Sequence, residues 1–106
     1  MKPQVFNQLV KETFKNATEI LSAKAKTYAT KEDRLDNFKQ AAQLSRQTPI
    51  GSLKGMVDKH IVALSDFVYA HEHGFEVPAE EWLEKIGDII NYMVLLRALL
   101  KEEELI

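Results

Sequence analysis

The sequence predicts an all-α fold: a single-domain bundle of about four helices that ends in a long apolar C-terminal helix. Three observations carry this expectation. Apolar residues recur at spacings of three and four along most of the chain, the period of a helix with one buried face. Only four glycines and three prolines occur in 106 residues, too few for a many-stranded sheet with tight turns. The length suits one domain, since domains typically hold roughly 100–150 residues, and a chain of this size buries about two thirds of its extended surface.

The first helix is expected over about residues 3–28. Pro3 suits a first turn, where its missing N–H has no partner to lose. Val5, Phe6, Leu9, Val10, Phe14, Ala17, Ile20, Leu21 and Tyr28 form the apolar stripe. A second helix, about 31–46, follows Thr30, whose spacing to Asp33 fits a capping box with Asp in place of Glu or Gln. It turns Leu35, Phe38, Ala41, Ala42 and Leu44 inward and stops before Thr48-Pro49. Ser52 is the expected N-cap of a third helix, about 52–70, with Leu53, Met56, Val57, His60, Ile61, Leu64, Phe67 and Val68 at helical spacing. Residues 71–77 are aperiodic and read as a loop. Pro78 opens the fourth helix, about 78–101, and Glu80 and Glu81 complement its dipole.

Composition narrows the function classes. No cysteine is present, which removes disulfides and thiolate chemistry. The formal net charge is −2, from 14 basic and 16 acidic residues, so a general nucleic-acid or anionic-membrane binder is not expected. Lys11, Lys15, Lys24 and Lys26 on the first helix leave only a weak nucleic-acid reading. The N-terminus, Met1-Lys2-Pro3-Gln4, has no apolar signal core behind it. The longest nearly apolar run, Ile89 to Leu100, would span about 18 Å as a helix, short of the roughly 30 Å membrane core. The expectation is a soluble, cytoplasmic protein. That same run is apolar nearly all round and must be covered on every side. A homodimer or higher homo-oligomer through the fourth helix is therefore expected, with the Glu102-Glu103-Glu104 tail frayed or held by a partner.

The residues able to carry chemistry converge on the fourth helix. Glu81, Glu84 and Asp88 share one side at spacings of three and four, and Asn91 continues the line. Gathered carboxylates repel unless a cation neutralises them, and oxygen ligands suit Mg²⁺; the plainer alternative is a solvated acidic face. Asp88 lies among Ile86, Ile89 and Ile90, so it needs either a metal or a salt bridge, with Lys59 or Arg97 as the cation. Gly87 costs a helix about 1 kcal/mol relative to alanine, a cost usually offset where a backbone or ligand approaches closely. His60 falls on the apolar stripe and reads as a hydrogen-bonded core or pocket-edge residue. His71 and His73 read as solvent-exposed loop histidines, since zinc needs three or four ligands. Arg34, Asn37 and Lys39 in the second segment could reach a phosphate or base.

These residues bring a family into view. Tyr28 with Asp33-Arg34-Leu35-x-Asn37-Phe38, then Met56-x-Asp58-Lys59, then Glu84-Lys85-Ile86-Gly87-Asp88-Ile89-Ile90-Asn91-Tyr92 resembles small phage and prophage helical proteins. Those are related to the MazG-like all-α nucleoside triphosphate pyrophosphatases and to nucleotide-modification-associated domains. The resemblance covers about residues 24–100. It implies a Mg²⁺-dependent pyrophosphohydrolase that converts a nucleoside triphosphate to the monophosphate and pyrophosphate. A helix with an ExxE pair would face one with ExxD to hold the metal. Carried over, Asp88 is the terminal aspartate. Lys85 stands three residues before it, so Glu84 must supply the other carboxylate on that helix. Asp58 and Asp66 on the third helix stand where ExxE is expected, and Lys59, Arg34, Asn37 and Asn91 would contact the nucleotide. Those departures leave the metal site degenerate, rebuilt or lost. The alternative is a non-catalytic, oligomerising phage or prophage protein on the same frame.

Overall fold

The computed structural model describes residues 1–28 and 32–106. Four helices make up the fold: α1 (Pro3–Tyr28), α2 (Asp36–Ser45), α3 (Pro49–Glu72) and α4 (Ala79–Glu102). The described residues contain no strand, and none of their helices is long and apolar enough to cross a membrane. The all-α expectation is met, with the first and last helices close to their expected bounds.

Three starts and stops differ, each for a local reason. α2 begins at Asp36, not near residue 31. The Asp33 carboxylate accepts from the Leu35 N–H at 2.9 Å, which holds residues 33–36 in a turn rather than a helix. Thr30 and Lys31, the expected cap and first residue, lie outside the described residues. α2 stops where Arg46 takes a left-handed conformation (φ 55°) and the Gln47 N–H returns to the Ala42 carbonyl. The N-cap of α3 is Thr48, not Ser52. Thr48 Oγ1 accepts from the Gly51 N–H at 3.0 Å and Pro49 occupies the first turn, so Ser52 falls inside the helix and is buried.

α3 also runs past the expected residue 70 into the stretch read as a loop. His73 Nδ1–H donates to the Tyr69 carbonyl at 2.8 Å, and its ring stacks on Tyr69 at 3.9 Å. Gly74 then turns the chain at φ +82°, where a side chain would be strained. His73 is therefore a local C-terminal cap.

α4 is the axis of the fold, packed against α1 on one side and α3 on the other, with α2 packed on α3. The core joins Leu35, just ahead of α2, Phe38 of α2, Leu53 of α3 and Leu99 of α4. At the other end of the α3–α4 pair, Phe67 meets Trp82 edge-on at 5.5 Å. Much of the apolar α4 run is thus covered within the chain, although Met93 and Val94 stay exposed. Of the acidic tail, Glu102 finds a cation in the chain: Lys39 of α2 bonds it and also bonds Asp33, at 2.6 Å.

Gly87 marks the α1–α4 crossing. A Cβ there would lie 3.9 Å from the Ala17 Cα and 3.1 Å from Ile20 Cδ1. The tight contact is the flexible end of the Ile20 side chain, while the Ala17 backbone lies at ordinary van der Waals distance. α1 extends beyond this crossing, and its N-terminal half leaves Val5, Phe6, Leu9, Val10 and Phe14 exposed.

Candidate functional site

The α1–α4 crossing also positions the polar residues of α4. One turn past Gly87, Asn91 is buried and donates from Nδ2 to the Ala17 carbonyl at 2.9 Å. Asp88, between them, is only 4% exposed. Its partner is Lys24 of α1, with Nζ 2.9 Å from Oδ1. The expected partners Lys59 and Arg97 are not the ones used. Lys24 follows Ala17 and Leu21 along the α1 face that meets α4, whereas Lys59 is exposed on α3. Burial works against the Lys24 ammonium, but the hydrogen bond and negative charge of Asp88 outweigh it, and its pKa is raised above the usual lysine value.

His60 stands on the other side of Asp88. Its Nδ1 lies 3.7 Å from Asp88 Oδ2, too far for a hydrogen bond, and 2.9 Å from Lys85 Nζ. An ammonium can only donate, so His60 Nδ1 accepts and the imidazole is neutral with its proton on Nε2. Its ring also packs on Tyr92 at 4.9 Å. Desolvation and then the Lys85 charge push the His60 pKa below 6.5, outweighing the Asp88 and Glu84 carboxylates that oppose them. His60 is thus a part-buried, hydrogen-bonded residue of the α3–α4 packing, and it does not line the pocket above Asp88.

A folded-state pKa below the unfolded value means that the unfolded chain takes up the proton first. The stability contributed by neutral His60 is therefore complete above pH 6.5 and is lost as pH falls through its lower folded value. Chemical denaturation at pH 7.5 and 5.0 should show a larger acid loss in wild type than in His60→Gln. Equal losses would show that His60 does not carry the effect.

Above Asp88 a pocket of about 190 Å³ opens between α1, α4 and the segment leading into α2. Its polar lining is Lys24, Arg34, Asn37, Asp88, Asn91 and Tyr92; Leu21, Phe38, Met56 and Leu95 form the apolar wall. Four residues singled out from the sequence, Arg34, Asn37, Asp88 and Asn91, are thus brought together. Glu84 is exposed on α4 and Asp66 exposed on α3. Asp58 is exposed and ion-paired with Lys54 at 2.9 Å. None of these three, nor Lys59, lines the pocket. Among the described residues, no three His, Asp or Glu side chains form a group able to hold a metal ion. The Mg²⁺ ligand set of Asp88, Glu84, Asp58 and Asp66 is therefore not assembled within the described chain.

Sequence reasoning missed Lys24 as the cation beside Asp88, although a signal was present: it is a lysine in register with Ala17 and Leu21 on an apolar stripe. The pairing of Lys85 with His60 had no such signal, because it depends on how α3 and α4 are rotated against each other. With Lys24 turned to Asp88, the candidate nucleic-acid lysines of α1 reduce to exposed Lys11, Lys15 and Lys26. No family model, curated protein or solved structure matches the chain.

Proposed function

We propose that the chain is a non-catalytic, self-associating helical protein, built on a frame like that of the phage-type pyrophosphatases but with the metal role of Asp88 retired. The observation that carries this reading is the Lys24–Asp88 ion pair. A lysine ammonium already neutralises the carboxylate that would be the central ligand, and Glu84, Asp58 and Asp66 lie outside the pocket it faces. Self-association is supported by the α1 stripe, where Phe6 is 56% and Phe14 57% exposed. A helix segment with one apolar face and no tertiary cover is marginal alone, because most helix stability in proteins comes from packing that face. A second copy covers it best, with the exposed Met93 and Val94 of α4 adding to the same role.

A Mg²⁺-dependent nucleoside triphosphate pyrophosphohydrolase is the second reading, favoured by Arg34, Asn37, Asp88 and Asn91 sharing the pocket. One experiment separates the two. Pyrophosphate release is assayed from a panel of ribo- and deoxynucleoside triphosphates with Mg²⁺ or Mn²⁺, alongside the solution mass by light scattering. Silence across the panel from a dimer or larger assembly is expected. Metal-dependent release that disappears in folded Asp88→Ala would establish the hydrolase, and a monomeric mass would remove self-association.

A further inference from the structure

We infer that the pocket beside Asp88 binds a small amphipathic molecule carrying a single negative charge, of the monocarboxylate class. Such a ligand needs neither a metal nor a reaction, so the site is independent of the self-association proposed above.

The charge balance of the pocket points to an anion. Lys24 is matched by Asp88, but Arg34 has no matching carboxylate among the described residues. Among the described residues its partly buried guanidinium meets the Leu21 carbonyl at 3.4 Å and pairs with no carboxylate. The two cations and one carboxylate leave the lining with one positive charge. A partly desolvated guanidinium is stabilised most by an oxyanion, whose two oxygens match its two parallel N–H donors. Asn37 lines the same pocket and makes no side-chain hydrogen bond among the described residues, so its amide is available to a carboxylate held by Arg34.

Shape and sign narrow the ligand further. Leu21, Met56 and Leu95 give the pocket an apolar wall, which suits a ring or short hydrocarbon body. About 190 Å³ is below the roughly 300–1,000 Å³ of sites that enclose drug-sized ligands, so the body must be small. Asp88 faces the same space and disfavours a second negative charge, placing a monocarboxylate ahead of a phosphate monoester, which carries about −1.5 to −2 at neutral pH.

The probes are benzoate and phenyl phosphate, which share a ring and differ in head charge, titrated into the ¹⁵N-labelled full chain. Saturable shifts of the Asn37 side-chain amide and the Arg34 Nε–H are expected with benzoate. Arg34→Gln should weaken binding by about tenfold or more, as loss of a charged hydrogen-bond partner does, and Asn37→Ala should weaken it less. Lys54→Gln, which changes an exposed pair on α3, should leave it unchanged. Failure of benzoate to saturate by about ten millimolar, or equal affinity in folded Arg34→Gln, would overturn the site. Tighter binding of phenyl phosphate than of benzoate would overturn the single-charge assignment.

Discussion

Lys24→Met should destabilise the protein by about 3 kcal/mol at neutral pH, toward the lower end of what a buried carboxylate loses with its cation. Asp88 is 4% exposed, so its charge cannot turn to bulk water, whereas the Lys24 side chain is 44% exposed and can. The two halves of the pair are therefore unequal. Asp88→Asn should cost distinctly less than Lys24→Met, and the double variant should recover most of the loss. Urea denaturation of the four proteins gives the complete cycle. A cost below about 1 kcal/mol, or no recovery in the double variant, would show that the pair does not hold the site together. Rescue of Lys24→Met by Mg²⁺ would instead show that the carboxylate still accepts a metal.

Leu99→Ala should cost about 2–5 kcal/mol, because it leaves a cavity where Leu35, Phe38 and Leu53 converge on a side chain that is 2% exposed. Total stability for a chain of this length is on the order of 5–15 kcal/mol, so a fall in Tm of at least about 10 °C is expected. The effect reaches the pocket, because Leu99 packs with Leu35 and Phe38, the chain neighbours of Arg34 and Asn37. Hydrogen exchange should show α2 losing protection before α3. Leu44→Ala removes an equally large side chain that is 89% exposed and should change stability by less than about 0.5 kcal/mol. Similar losses for the two leucines would contradict the placement of the core.

The bounds of α1 and α4 were legible because each is one long apolar-rich helical stretch with a proline at its start. The bounds of α2 and the start of α3 were less so. Asp33 holds a turn that delays α2, and Thr48 caps α3 in place of Ser52; only hydrogen-bond geometry decides among polar residues a few positions apart. Within the site, Arg34, Asn37, Asp88 and Asn91 were found from residue type and spacing, and they do share a pocket. Glu84, Asp58, Asp66 and Lys59 carried the same kind of signal and point elsewhere. Spacing along one helix fixes which residues share its face, but not which face another helix covers.

The sequence by itself determined four helices without strands, an aspartate amid apolar neighbours that needs a cation, and a glycine that invites a close approach. These follow from local periodicity, turn chemistry and the cost of burying charge, all of which act over a few residues. Tertiary structure alone decided that the cation is Lys24, 64 positions away, that His60 accepts from Lys85, and that the stripe of α1 is covered at Ala17 but bare at Phe6 and Phe14. Those choices depend on the rotation and crossing of whole helices. Packing of the entire chain sets them, and no single segment encodes it.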